Sequence, residues 1–122
     1  AKPRMESYLH EISLAKAACT FALKGLKNWM KPEKVPAALT TFPSTAQIVS
    51  EPLGVVLVIS AWNYPFLLSI DPVIGAIAAG NAVVLKPSEI APATSGLFGK
   101  LLPEYVDSSC IYVVEGGVPE TT

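Results

Sequence analysis

The stretch that decides the fold is Gly54–Glu89, which reads GVVLVISAWNYPFLLSIDPVIGAIAAGNAVVLKPSE. It opens on an apolar, β-branched run, Val55–Ile59, of the kind found in strands buried on both faces. A helix is predicted from about Phe66 to Ala79, ended by Gly80-Asn81 as a C-terminal cap. A second apolar strand, Ala82–Leu85, follows. Strand, helix and strand in this order predict a βαβ unit whose two strands are parallel.

Polar side chains follow the ends of both predicted strands. Asn63 lies in the turn after the first strand, and Lys86 and Glu89 follow the second. Because ligands collect at the carboxyl ends of parallel strands, this edge of the sheet is the candidate site. The first turn reads Ser60-Ala61-Trp62-Asn63-Tyr64-Pro65 and lacks the dinucleotide fingerprint GxGxxG. Either other groups hold a ligand here or the fold binds none.

Each of these polar groups has two interpretations. The Glu89 carboxylate can accept hydrogen bonds from ribose hydroxyls while Lys86 donates to them or offsets a 2′-phosphate. Alternatively, the pair is an exposed lysine and a capping glutamate. The Asn63 amide can donate to an oxyanion that forms on a substrate carbonyl. Alternatively, Asn63 caps the following helix, and the residues alone favour this cap.

The segments before this unit predict a long helix and an extended arm. Met5–Met30 has apolar residues mostly at spacings of three and four, which indicates one amphipathic helix. The arm, Glu33–Pro52, contains prolines that exclude helix, while Thr40–Phe42 and Ala46–Ser50 suit extended strands. The arm is either a linker packed on its own domain or part of an oligomer interface.

After the βαβ unit the chain predicts one more helix and one more strand. The helix opens at Ala91–Thr94 and closes at Pro103–Asp107. The strand is Ile111–Val114, and a loop, Glu115–Thr122, follows it. The predicted fold is therefore α/β: an N-terminal helix (1–32) and an arm (33–52), followed by a βαβαβ half of a Rossmann-like parallel sheet (53–122).

Composition excludes several classes of protein. With 122 residues, 51% of them apolar and 16% charged, the chain is rich in core-forming residues and unlike a disordered segment. A net charge of −1 gives no basic footprint for nucleic acid. Leu53–Ile70 carries no charge, but Gly54, Asn63 and Pro65 interrupt it, so a strand and a helix are predicted instead of a membrane segment.

The termini and the two cysteines give two further expectations. The chain begins with Ala1 and ends in a loop, so we expect a piece of a longer polypeptide. Cys19 and Cys110 match no metal or disulfide framework, which favours a reducing compartment. We expect a cytoplasmic location, with an organelle as the alternative.

Four stretches together resemble the aldehyde dehydrogenase superfamily, in particular its class 3 branch and the plant members of it. They are Glu51–Ile59, Trp62–Phe66, Gly75–Glu89 and Gly116–Thr122. The resemblance extends over the chain from Met5 onward. It implies the oxidation of aldehydes to carboxylic acids with NAD or NADP, through a thiohemiacetal on a cysteine.

The resemblance also implies roles for residues of this chain. Asn63 would be the oxyanion donor, which reverses the preference for a helix cap, and Lys86 and Glu89 would hold the adenosine ribose. Three neighbouring residues would line the cofactor channel: Ser60, Ala61 and Trp62. The family's nucleotide fold lacks GxGxxG, so the missing fingerprint is consistent with the resemblance.

The resemblance leaves part of the chemistry outside the sequence. The family's nucleophilic cysteine and general-base glutamate lie beyond Thr122, and neither Cys19 nor Cys110 matches the nucleophile, so we expect the chain to be inactive alone. The arm segment Leu39–Pro52 contributes to oligomerisation in the family, which implies a homodimer. The alternative function is a non-catalytic nucleotide-binding or interaction module on the same scaffold.

Overall fold

The computed structural model describes residues 2–121, so Ala1 and Thr122 lie outside the description. The predicted α/β class is confirmed, while the division into units 1–32, 33–52 and 53–122 stays a prediction. The helices are α1 (Arg4–Ser7), α2 (Ser13–Trp29), α3 (Leu67–Ala78), α4 (Pro92–Tyr105) and α5 (Val118–Thr121). The strands are β1 (Glu33–Val35), β2 (Ala46–Ile48), β3 (Val55–Ile59), β4 (Ala82–Lys86) and β5 (Ile111–Val113).

The central sheet is the predicted parallel βαβαβ arrangement. Its strand order is β3-β4-β5, with α3 connecting the first two strands and α4 connecting the second two. Val55 pairs with Ala82 at one end of the β3–β4 ladder, and Ile59 pairs with Lys86 at the other. The turns that leave β3 and β4 therefore start side by side at the carboxyl edge of the sheet.

The hydrophobic core lies on one face of this sheet, under α3 and α4. Strand residues Val58, Leu85 and Ile111 are buried there, and Leu85 is 0% exposed. The helices contribute a second set of buried side chains: Val73, Ala76 and Phe98. The opposite face of β3 is exposed along Val55, Leu57 and Ile59. The prediction that β3 is buried on both faces is wrong within residues 2–121, because both connecting helices cover the same face.

The end of α3 follows the predicted cap. Gly80 has a φ of +81°, a left-handed conformation that favours glycine, and its N–H donates to the Ile77 carbonyl at 2.9 Å. The Asn81 amide accepts from the Gly54 N–H at 3.0 Å and donates to the Ala76 carbonyl at 3.2 Å. Asn81 thus joins the start of β3 to the end of α3.

The N-terminal helix is confirmed, with one interruption that the sequence did not predict. A π-helical turn, Tyr8–Ile12, separates α1 from α2. π-Helical turns are rare in proteins, and those that occur are often found at functional sites. This turn contains Glu11, whose exposed fraction is only 4%.

The arm differs from its prediction in two places. Thr40–Phe42 is not extended, because Leu39–Thr41 forms a 3₁₀ turn in which the Thr41 hydroxyl donates to the Ala38 carbonyl at 2.8 Å. The second predicted strand is confirmed as the shorter β2, and it pairs antiparallel with β1, a strand that the sequence did not predict. The prolines at positions 32 and 36 flank β1 and limit it to three residues.

The loop predicted at Glu115–Thr122 is partly helical. Residues Val118–Thr121 form α5, and the Glu120 carboxylate accepts from the Gly117 N–H at 2.6 Å. This bond satisfies a donor at the start of the short helix. Across residues 2–121, every helix is too short or too polar to cross a membrane.

Candidate functional site

Lys86 is the last residue of β4 and is buried at the carboxyl edge of the sheet. Its exposed fraction is 6%. Its ammonium donates to the Glu89 carboxylate at 2.9 Å, to the Gly116 carbonyl at 2.9 Å and to the Pro87 carbonyl at 3.2 Å. These acceptors match the three donors of a lysine ammonium. The alternative of an exposed lysine is therefore wrong, and Lys86 joins the strand end to the loop after β5.

Glu89 presents a carboxylate to solvent beside this buried cation. Its side chain is 46% exposed, and one oxygen is bonded to Lys86. Its own backbone N–H and the Lys86 ammonium lower the pKa of Glu89, so the carboxylate is ionised at neutral pH. The N-cap of α4 is Ala91, and no side chain caps that helix, so the alternative of a capping glutamate is wrong. The open side of the carboxylate can accept further hydrogen bonds.

Asn63 lies exposed in the turn between β3 and α3. Within residues 2–121 its side chain has no hydrogen-bond partner, so the interpretation of Asn63 as a helix cap is wrong. The Phe66 N–H at the start of α3 donates instead to the Glu11 carboxylate at 2.8 Å. The Asn63 backbone carbonyl accepts from the Lys2 ammonium at 2.7 Å. The turn is thus fixed through its backbone, and the side-chain amide remains available to a ligand.

The three residues predicted to line a cofactor channel differ in exposure. Ala61 is exposed, and Trp62 is 60% exposed. Ser60 is buried, and its hydroxyl lies 2.7 Å from the Ser69 hydroxyl. The Ser60 N–H donates to the Lys86 carbonyl at 3.1 Å, which joins the two strand-end turns. Ala61 and Trp62 can meet a ligand with their side chains, whereas the Ser60 hydroxyl faces the protein interior.

The fold therefore brings the predicted polar residues Asn63, Lys86 and Glu89 to one edge of the sheet. The two cysteines lie elsewhere. Cys19 is exposed on α2, and Cys110 is exposed immediately before β5, at the opposite edge of the parallel sheet. Neither thiol lies at the strand ends that carry Asn63 and Lys86.

Comparison with known proteins agrees with this arrangement. All of the chain, residues 1–122, matches the aldehyde dehydrogenase family. The chain belongs to that family. It is 70% identical over 122 residues to aldehyde dehydrogenase family 3 member I1, chloroplastic, of Arabidopsis thaliana, which covers 100% of this chain and 22% of the relative. This similarity confirms the resemblance to the class 3 branch.

A mammalian relative and a solved structure of the family extend the match. The dimeric NADP-preferring aldehyde dehydrogenase of Mus musculus is 50% identical over 121 residues, which cover 99% of this chain and 27% of the relative. The substrate-bound AldH of Staphylococcus aureus superposes with a TM-score of 0.94 and 43% identity, covering 98% of this chain and 26% of that chain. The chain spans about a quarter of the length of these relatives.

The sequence analysis did not predict three groups at the site of this aldehyde dehydrogenase chain: the Gly116 carbonyl, Lys2 and Glu11. The Gly116 carbonyl accepts from Lys86, and Lys2 and Glu11 together hold the Asn63 turn. The position of Glu11 gave one usable signal: it lies one helical turn before the buried Ala15, on the face of the helix that packs inward. A carboxylate on such a face requires a partner.

Proposed function

We propose that this chain is the amino-terminal part of an NAD(P)-dependent aldehyde dehydrogenase that oxidises aldehydes to carboxylic acids. Family membership and the coverage of about a quarter of each relative support a longer polypeptide. The observation that carries the proposal is the edge where β3 and β4 end. Within residues 2–121, an amide without a hydrogen-bond partner, a buried ammonium and a half-exposed carboxylate occur there together.

Glu89 and Lys86 fit the adenosine ribose of a nicotinamide dinucleotide. The ionised Glu89 carboxylate would accept hydrogen bonds from the two ribose hydroxyls, and the Lys86 ammonium holds that carboxylate at 2.9 Å. The exposed Ala61 and Trp62, in the turn that leaves β3, would line the neighbouring part of the cofactor channel. The bound nicotinamide supplies the acceptor for the hydride that leaves the substrate.

The choice between NAD and NADP follows from the same pair, and we propose that NAD is preferred. The ammonium of Lys86 has three acceptors within its own domain, so no donor remains for a 2′-phosphate. The negative charge of Glu89 opposes such a phosphate. The relative that is named NADP-preferring makes this preference worth measuring directly.

Asn63 contributes to the chemical step. Its side-chain NH₂ would donate to the aldehyde oxygen as that oxygen gains negative charge, and one such donor is worth roughly 3 kcal/mol of transition-state stabilisation. Cys19 and Cys110 lie away from Asn63, so the nucleophile belongs to a part of the enzyme outside this chain. We therefore expect this chain alone to show no aldehyde oxidation.

The arm supports a homodimer of the complete enzyme. Leu39 and Phe42 are 94% and 84% exposed, and the two-stranded β1–β2 sheet has free edges that a second copy can cover. One relative is named dimeric. Light scattering of the complete enzyme would give a dimer mass, whereas a monomer that persists at micromolar concentration would refute this assembly.

We also propose that the protein is located in the cytoplasm, with an organelle as the alternative. Two free cysteines fit a reducing compartment such as the cytoplasm, while one relative carries the word chloroplastic in its name. Fluorescence imaging of the tagged full-length protein would separate the cytoplasm from an organelle.

A non-catalytic nucleotide-binding module is the second candidate function. The observation that favours it is that both cysteines lie away from the site, whereas the Lys86–Glu89 pair is fully formed. Calorimetry with NAD and with NADP, and an assay of NADH or NADPH formation on the complete protein, separate the two functions. Binding with turnover supports the enzyme, binding without turnover supports the module, and absence of binding of both cofactors contradicts both.

A further inference from the structure

Glu11 is a buried carboxylate that the proposed chemistry does not use. It lies in the π-helical turn between α1 and α2, and its side chain is 6% exposed. A carboxylate this deeply buried is costly unless charged or N–H partners surround it. The contacts of the two Glu11 oxygens therefore indicate the role of the π-helical turn.

One oxygen of Glu11 caps α3. It accepts from the Phe66 N–H at 2.8 Å and approaches the Leu67 N–H at 3.4 Å. A negative charge at this end of a helix also meets the positive end of the helix dipole. Since no residue of the β3–α3 turn caps α3, the start of that helix depends on a carboxylate 55 residues earlier in the chain.

The other oxygen of Glu11 holds Lys2, and Lys2 holds Asn63. The ammonium of Lys2 lies 2.9 Å from the Glu11 carboxylate and donates to the Asn63 carbonyl at 2.7 Å. It also lies 4.0 Å from the centre of the Tyr64 ring, in a cation–π contact. The Lys2–Glu11 pair therefore fixes the turn on both sides: at the carbonyl of Asn63 and at the N–H of Phe66.

We infer that Glu11 is a positioning residue for Asn63, acting through Lys2 and through the first turn of α3. This inference rests on the proposed role of Asn63 as the donor to the substrate oxygen. The Asn63 side chain has no partner of its own within residues 2–121, so the backbone that the pair holds sets the direction of its Cα–Cβ bond and the space that the amide can reach. Loss of the pair lets the amide drift, and drift of about 1 Å reduces turnover by up to about 100-fold.

The test is Glu11→Gln in the complete enzyme. Glutamine keeps an acceptor for the Phe66 N–H but cannot hold the Lys2 ammonium, since its NH₂ is a donor. We expect kcat to fall on the order of 10- to 100-fold, while the Kd for NAD and the KM for aldehyde change less than about twofold. Glu104→Gln, at an exposed position of α4, is the matched control and leaves kcat unchanged.

A double-mutant cycle separates positioning from general damage to the fold. In an Asn63→Ala enzyme, Glu11→Gln is expected to change kcat by less than about twofold, because the residue that it positions is gone. If both changes reduce kcat independently, or if Glu11→Gln alone leaves kcat unchanged, the inference is overturned. If Asn63→Ala itself leaves kcat unchanged, the proposed function of Asn63 fails first.

Lys2→Met decides the matter should Glu11→Gln fail to fold. This variant removes the bond to the Asn63 carbonyl but leaves Glu11 to cap α3. A drop in kcat that disappears in the Asn63→Ala background supports the inference. An unchanged kcat in a folded Lys2→Met enzyme contradicts it.

Discussion

The two turns at the carboxyl edge of the sheet are held in different ways. Lys86 is held by its neighbours in the parallel sheet: Glu89 is three residues away, and the Gly116 carbonyl follows the adjacent strand. The turn at Asn63 is held by Lys2 and Glu11, which are separated from their partners in the turn by 61 and 55 residues. The contacts of Lys86 and Glu89 should therefore be insensitive to the N-terminal segment, whereas the position of Asn63 should depend on it.

The largest effect is expected from Asn63→Ala in the complete enzyme. Removal of the amide donor should lower kcat by about 100-fold or more and leave the Kd for NAD within about twofold. Steady-state assays of NADH formation give kcat, and calorimetry gives the Kd. Asn28→Ala, at an exposed position of α2, is the control. An unchanged kcat would remove Asn63 from the chemistry.

Lys86→Met should act on the other turn. It deprives Glu89 and the Gly116 carbonyl of their donor, so we expect about tenfold or greater loss of NAD affinity and about 1–3 kcal/mol lower free energy of unfolding. Isothermal titration and urea unfolding measure the two quantities. Lys100→Met, an exposed lysine on α4, is the control. A fall in kcat at saturating NAD as large as that of Asn63→Ala would erase the distinction between the turns.

Glu89→Gln should change which cofactor is used. The substitution keeps an acceptor for a ribose hydroxyl and removes the charge that repels a 2′-phosphate. We expect kcat/KM for NADP relative to NAD to rise about tenfold. The ratio is measured with both cofactors on one enzyme preparation. A ratio that stays constant would place the 2′ position of the ribose away from Glu89.

Ser60→Ala should have a modest effect, confined to stability. It removes the hydrogen bond between the buried hydroxyls of Ser60 and Ser69, which contributes about 1 kcal/mol to the free energy of unfolding. NAD affinity should stay within about twofold, because the hydroxyl faces the interior. A large loss of NAD affinity at unchanged stability would mean that the Ser60 hydroxyl reaches the cofactor.

The smallest effect concerns pH. The Glu89 backbone N–H and the Lys86 ammonium lower the pKa of the Glu89 carboxyl below its ordinary value of 4.5. The stabilisation that the ionised carboxylate provides is therefore complete above pH 4.5. It is lost only as pH falls through the lowered pKa. The Kd for NAD should therefore be constant from about pH 8 to about pH 5. A titration of NAD affinity centred within this interval would contradict the assignment of Glu89.

The same difference between local and distant contacts decided what the sequence could predict. The βαβαβ order, the cap at Gly80 and the Lys86–Glu89 spacing depend on neighbours along the chain, and the structure has all three. The Lys2–Glu11 pair contacts the Asn63 turn across 61 and 55 residues. The position of Glu11 on the inward face of its helix indicated that the carboxylate needs a partner, but no local pattern indicated which one. The residues around Asn63 alone favoured a helix cap, because the sequence did not show that the Glu11 carboxylate accepts from the Phe66 N–H instead.

In the arm, too, the sequence alone could not predict all of the secondary structure. Thr40–Phe42 has the composition of a strand, but hydroxyl groups that bond to nearby carbonyls favour a 3₁₀ turn there. The strand β1 exists because β2 pairs with it, and that pairing joins residues 33 and 48. Strand propensity over three residues carries too little information to predict such a partner.

A crystal structure of the complete enzyme with bound NAD tests the central claim most directly. The account predicts the Glu89 carboxylate within about 3 Å of the adenosine ribose hydroxyls, Lys86 still bonded to Glu89, and the Asn63 amide facing the substrate side of the nicotinamide. Nucleotide bound at the opposite edge of the sheet, or an Asn63 side chain turned into the protein interior, would contradict it.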